Sequence, residues 1–334
     1  MTNMNNKKLV IDTLNHLQNK IIPYQLDLTT DMENKIRKEL GNDFFKGVDN
    51  CFVLERNEEF IPIDSHRKKD MFGAVWLLDQ QGDFGVVENC ILENPSLGSY
   101  SFPEPDERLI REKCERLTSA ENADKFSMYI IGFSLYERAW SLRGIENLLM
   151  DMVINPAFVK ELFEKIVEYN LGVIKIVTEY PVDGIFFGDD WGQQKGLIMG
   201  PEYWRKFIKP ELETMYSYVK SRGRYLCQHS CGDIHEVFGD LIELGLDMYN
   251  TFQPEIYDVK KVKEEYGNDL TFYGGISTQT VLPFGSSDEV RQETRKMMDI
   301  MGVNGGYVVA PTHSMPPDIP VENVIAFLDV VRNQ

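Results

Sequence analysis

The sequence predicts a (β/α) barrel with a helical N-terminal cap, and three observations carry that prediction. Short apolar runs recur through the later two thirds of the chain, each ending in polar or glycine-rich residues: "SMYIIGFSL", "DGIFFGDDW", "GRYLCQHSCG", "DMYNTFQPE", "DLTFYGGIST" and "GGYVVAPTHS". Helix-like segments separate them, and strand alternating with helix points to a parallel sheet, because parallel neighbours need a crossover connection. No G-x-G-x-x-G follows an early strand, which argues against a dinucleotide-binding open sheet. The polar residues that end the runs fall instead where a barrel gathers its chemistry, on the C-terminal rim: Asp189, Asp190, His229, Cys231, Glu255, Ser277 and His313.

Taken in order, residues 1–75 read as the helical cap and 76–334 as the barrel. "DMENKIRKELGNDFF" is the clearest early helix, with Met32, Ile36 and Leu40 spaced by four and Gly41 as a stop signal. "RNEEFIPIDSHRKKD" reads as a charged surface loop, "FGAVWLLDQQGDFGVVE" as a hairpin, and "SFPEPDERLIREKCERL" as a proline-marked loop leading into a helix. The stretch from Gly144 to Tyr180 repeats apolar residues at spacings of three and four, the period of helices packed on one face. Near-continuous apolar strands such as "GIFF" and "YVVA" suit burial on both faces.

Composition bounds the function. A formal net charge of −18 over 334 residues would repel nucleic-acid phosphates and anionic lipid, and no basic stripe reverses it locally, so neither is an expected partner. Asp12 and Asn15 interrupt the apolar run that a signal peptide needs, and no window reaches the roughly 18 apolar residues of a membrane span. The expected location is the cytoplasm, where the 5 cysteines stay reduced.

Three chemistry-bearing residues crowd into "YLCQHSCGDI": Cys227, His229 and Cys231. Alternate residues of a strand share a face at about 3.3 Å rise per residue, so His229 and Cys231 would stand roughly 6–7 Å apart at Cα, close enough to meet one zinc ion. Cys227 faces the same side but lies about 13 Å along the strand from Cys231, and reads as barrel core. His313, at the end of the last apolar run, is the best-placed third ligand, with Asp189, Asp190 and Glu255 as oxygen donors in reserve. The competing reading is a buried cysteine beside a histidine bonded to backbone. Asp189 and Asp190 follow a buried strand, where like charges would raise one pKa toward that of a proton donor; equally, one aspartate could cap the next helix. Trp191 offers an apolar wall for a ligand or simple packing. Gln253, Glu255 and Gln279, on neighbouring rim loops, are candidates for hydrogen bonds to substrate.

The succession "FFGDDWGQQKGLIMGPEYWRKFIKP", "YLCQHSCGDI", "YNTFQPE", "FYGGISTQTVLPFG" and "GGYVVAPTHSMPPDIPVENV" resembles the uroporphyrinogen decarboxylase superfamily over roughly residues 125–334. The resemblance implies a distorted (β/α)8 barrel and two branches of function. Metal-free decarboxylases carry an arginine-rich R-Q-A-G-R signature on the first strand, and this chain has none. Zinc methyltransferases carry H-x-C-G on one strand end and a cysteine in a C-terminal A-P-G-C segment, and move methyl groups between a corrinoid protein and a thiol such as coenzyme M, or from methylated substrates to the corrinoid. His229, Cys231 and Gly232 match the first element; "APTH" places His313 where the cysteine stands.

The resemblance therefore implies a zinc site of His229, Cys231 and His313, and a corrinoid (cobalamin) carried by a partner protein. The other partner is a small-molecule methyl donor or acceptor, with Asp189 or Asp190 handling a proton or orienting a ligand histidine. A tetrapyrrole decarboxylase is the alternative, for which only Arg138 or Arg143 offers a cationic anchor, and a non-catalytic corrinoid- or tetrapyrrole-binding module is a third reading. A homodimer is left open.

Overall fold

The computed structural model describes residues 5–78 and 84–334. Seven parallel strands form one curled sheet: β1 (Phe52–Arg56), β2 (Phe126–Ile131), β3 (Gly184–Gly188), β4 (Tyr225–His229), β5 (Met248–Phe252), β6 (Thr271–Ile276) and β7 (Tyr307–Pro311). Their spatial order equals their chain order. That is the wall of a barrel; a doubly wound sheet would reverse direction at a switch point. The six apolar runs singled out in the sequence are β2 to β7.

Residues 23–29 fill the gap between β7 and β1. On one side Val309 N–H donates to Pro23 O at 3.0 Å, Gln25 N–H to Val309 O at 3.1 Å, Met315 N–H to Asp27 O at 2.9 Å and Thr29 N–H to Met315 O at 3.1 Å. On the other, Cys51 N–H donates to Tyr24 O at 3.1 Å. Beyond it the Asn50 side chain substitutes for a strand, accepting from Leu26 N–H at 2.8 Å and donating to Leu26 O at 3.0 Å. An irregular eighth stave thus closes a distorted barrel. Pro23 has no N–H to give, and two of those three bonds on the β1 side are made by a side chain, so no regular strand forms here.

The inward layer near the bottom of the barrel is apolar: Phe52, Phe126, Met128, Cys227, Met248 and Val308 pack together with Leu9, Val10 and Leu14 of the helix Asn6–Leu14, which plugs that end. Outside, the long helix Pro156–Val177 buries Val159, Leu162, Phe163, Ile166 and Val173, the stripe expected of a helix laid on a sheet. Fully burying each such side chain contributes about 1.5–3 kcal/mol.

The N-terminal segment departs from the expected helical cap. The helices Asn6–Leu14 and Thr30–Leu40 are present, the latter ending at Gly41, but residues 1–75 also supply β1 and the eighth stave, so a boundary at 75 does not separate helices from barrel. The charged loop expected around His66 is likewise structured. Phe60–Pro62 and Arg67–Asp70 pair antiparallel and continue through Val75–Leu78 and Phe84–Val87 into a four-stranded sheet. The turn of the expected hairpin, residues 79–83, lies outside the described residues. Charge misled the reading because a two-sided surface sheet does not need apolar alternation. The sheet is held to the barrel by Asp70, which accepts from Trp76 Nε1–H at 2.9 Å and pairs with Arg138 at 2.5 Å. Among the described residues no helix is long and apolar enough to cross a membrane.

Candidate active site

The strand β4 answers the question posed by its alternation. Cys227 points into the apolar bottom layer and is fully buried, while His229, two residues on, reaches the mouth. Beyond the strand end the chain turns at Gly232, whose φ of +78° belongs to the left-handed region. A Cβ on Gly232 would stand 2.3 Å from Gly192 C, and one on Gly192 would stand 2.5 Å from Cys231 O. Two glycine backbones therefore cross in contact, and this crossing sets the height at which Cys231 sits beside His229.

Cys231 Sγ lies 3.6 Å from His229 Nε2 and 2.9 Å from His313 Nε2, and the donor atoms of the three residues all fall within 4.8 Å of one another. Donors bound at 2.0–2.3 Å to one tetrahedral zinc ion are about 3.3–3.8 Å apart, so the set needs adjustments of about 1.5 Å at most to hold one. Two imidazoles and a thiol are also the donor types that suit zinc.

His229 is oriented from behind. Its Nδ1 is 2.5 Å from Asn250 Oδ1, and Asn250 Nδ2–H donates to Tyr273 O at 3.3 Å, which fixes the amide with its oxygen toward the histidine. The proton accordingly sits on Nδ1, and Nε2 presents its lone pair to the triad. Burial and the neighbouring His229 push the His313 imidazole down to about 4, and burial first, then Asp190, pushes the Cys231 thiol well above its ordinary range. A cation at the centre would reverse the latter, since a coordinating thiol is deprotonated.

The two aspartates separate. Asp190 accepts from Cys231 N–H at 2.7 Å, lies 3.5 Å from His229 Nε2 and lines the cavity. Asp189 turns the other way and is fully buried. It accepts from Tyr136 N–H at 2.9 Å, Glu137 N–H at 2.8 Å and Trp191 Nε1–H at 2.6 Å, so it caps the N-terminus of the helix Tyr136–Arg143. Burial raises its pKa to about 6 against those donors. Neither Asp189 nor Trp191 reaches the cavity: Trp191 is fully buried, 5.4 Å from the Trp204 ring. Gln253 is buried too, and its Oε1 accepts from Gly232 N–H at 2.8 Å, steadying the turn. Glu255 is bonded to Ser277 Oγ and belongs to a separate rim hollow with Thr280 and Phe284, while Gln279 is exposed.

A cavity of about 550 Å³ opens beneath the triad. Its wall includes Asp27, Arg56, Glu58, Phe60, Phe133, Glu137, Phe186 and Tyr273. Burial raises the carboxyls of Asp27, Glu58 and Glu137 above their ordinary range, with Asp190 adding to the effect at Glu137. Phe133, directly after β2, holds a φ of +47°, a conformation rare for a bulky residue and characteristic of functional sites.

Residues 127–334 match the family model described as Uroporphyrinogen decarboxylase (URO-D). The chain belongs to the uroporphyrinogen decarboxylase family. Within it, the chain is similar to a methylated-thiol–coenzyme M methyltransferase of Methanosarcina mazei, 19% identical over 190 residues that make up 57% of this chain and 48% of the relative. It thus spans about half the length of that curated relative. It is also similar to a uroporphyrinogen decarboxylase of Nitratiruptor sp., 21% identical over 275 residues, 76% of this chain and 74% of the other. A solved methyltransferase from Methanosarcina mazei shares the fold, with a TM-score of 0.72, 15% identity and 98% of both chains covered.

Against this family frame, the residues missed in the sequence are Asn250, which positions His229, and the wall residues Asp27, Arg56, Glu58 and Glu137. Asn250 carried a signal: it stands on β5, where His229 and Asn250 are register partners. The wall residues come from the N-terminal segment or a helix start, where no apolar run marked a rim.

Proposed function

We propose that the protein is a zinc-dependent methyltransferase that moves a methyl group between a small methylated substrate or thiol and a corrinoid held by a partner protein. The observation that carries this reading is the convergence of His229 Nε2, Cys231 Sγ and His313 Nε2 over the cavity. Three protein donors leave a fourth position, the pattern of catalytic zinc, which would supply Lewis acidity to a substrate heteroatom. Asn250 fixes the tautomer of His229, and Asp190 holds Cys231 through its backbone N–H. Its carboxylate also lies on the cavity wall, where it can take a thiol proton or hold a substrate donor.

The cavity wall weighs against decarboxylation of a polyanionic tetrapyrrole. Arg56 is its one arginine or lysine among the described residues. The two arginines the sequence offered as carboxylate anchors are spent in buried ion pairs, Arg138 with Asp70 at 2.5 Å and Arg143 with Asp151 at 2.7 Å. The test is metal analysis of protein purified without an affinity tag: about one zinc per chain is expected, and none in the His229→Ala, Cys231→Ala double variant. A metal-free wild type that releases carbon dioxide from uroporphyrinogen in the presence of chelator would replace this reading, and a tight corrinoid-protein complex without turnover would favour a binding module.

A further inference from the structure

We propose that the cavity beneath the His229–Cys231–His313 triad selects a substrate whose far end is cationic, an amine- or ammonium-bearing thiol or methyl thioether. The inference deepens the methyl-transfer reading and rests on it only for the reacting end.

Four carboxylates line the cavity, Asp27, Glu58, Glu137 and Asp190, against the single guanidinium of Arg56. They come from four separate places in the chain: the eighth stave, the end of β1, the first turn of the helix Tyr136–Arg143 and the end of β3. Fully ionised, the four would outnumber Arg56 by three negative charges, and a divalent ion with one thiolate would offset only one of them. An anionic tail such as a sulfonate or carboxylate would enter against that field, whereas a cationic tail would be drawn into it.

The aromatic rings of Phe60 and Phe186 share the same wall, beside Phe133, whose ring already has the Arg138 guanidinium 5.5 Å from its centroid. Rings and carboxylates together make the surface that recognises alkylated ammonium groups, since the ring faces attract a cation without the desolvation cost of a further charge. Burial raises the Asp27 and Glu58 carboxyls while Arg56 lowers both, so a further cation brought into the cavity would favour their charged forms. A volume of about 550 Å³ admits a small ligand spanning from the triad to these groups.

Three probes of one length separate the outcomes: 2-(methylthio)ethylamine, 2-(methylthio)ethanol and 2-(methylthio)ethanesulfonate, each titrated calorimetrically into the full chain. The amine is expected to bind at least about tenfold more tightly than the alcohol, about 1.4 kcal/mol, and the sulfonate more weakly than the alcohol. Asp27→Asn and Glu58→Gln should each narrow the amine preference and Arg56→Gln should widen it, with circular dichroism confirming the fold of each variant. An amine that binds no better than the alcohol, or a preference unmoved in folded Asp27→Asn and Glu58→Gln proteins, overturns the inference. Wild type that holds no zinc yet prefers the amine supports it while sinking the methyl-transfer reading; zinc-loaded protein without the preference does the reverse.

Discussion

Replacing Asn250 by alanine tests whether the triad is a built metal site. Asn250 Oδ1 is 2.5 Å from His229 Nδ1, and its amide is held by Tyr273 O at 3.3 Å, so a single side chain decides which nitrogen of His229 faces Cys231. Without it, the ring can rotate and carry its proton on Nε2, the atom 3.6 Å from Cys231 Sγ. Removing such an outer partner typically lowers metal affinity 10–100-fold, about 1.4–2.7 kcal/mol. The stability of the metal-free protein should fall by about 1–3 kcal/mol for the two lost hydrogen bonds. Zinc affinity measured by competition with a chromophoric chelator, beside urea denaturation of the metal-free proteins, separates the two effects. Asn250→Asp, which keeps an acceptor at the same place, should retain or strengthen binding. An Asn250→Ala protein that is folded and binds zinc as tightly as wild type would refute the assignment of Nε2 as the donor.

Further outcomes follow from the same geometry. Gly232→Ala must move a backbone that approaches to 2.3 Å and adopt a φ of +78°, at a conformational cost of about 1–2 kcal/mol before any overlap is counted; it should lower both the urea midpoint and zinc affinity. Arg138→Ala leaves Asp70 charged and buried, and should destabilise by about 3–5 kcal/mol in chemical denaturation without a specific change in metal content. His313 is depressed in the folded protein to about 4 from the ordinary 6.5, so its contribution to stability is present above pH 6.5 and disappears as pH falls through 4. Metal-free wild type should lose urea resistance across that interval, and His313→Gln should lose less.

The sequence carried the barrel's later strands because β2 to β7 are largely buried and therefore read as short, mostly apolar runs. It did not carry β1, where Glu55 faces outward to Arg116 and Arg56 points into the cavity, or the eighth stave, part of whose pairing is made by the Asn50 side chain. His229, Cys231 and His313 were singled out from strand spacing and run ends, but only His229 lies on its strand, which ends there; Cys231 is brought beside it by the crossing of Gly232 with Gly192. Asp189 and Trp191 looked like site residues for the same reason, yet one caps a helix and the other packs against Trp204. Position on a rim says where a residue starts; which way it turns depends on donors brought from elsewhere, here the N–H groups of residues 136 and 137. Gln253 illustrates the point again, since its partner is the Gly232 turn rather than the cavity.

The eighth stave bears on how one scaffold can serve different substrates. All three donors lie inside the portion that matches the family model, residues 127–334, whereas Asp27, Arg56 and Glu58 lie ahead of it. The stave that seals the barrel thus also delivers an acid to its lining. Asp27, Arg56 and Glu58 of that wall come from the opening segment, while Glu137 and Asp190 share the matched portion with the triad, so the charge of the pocket is set by both parts of the chain.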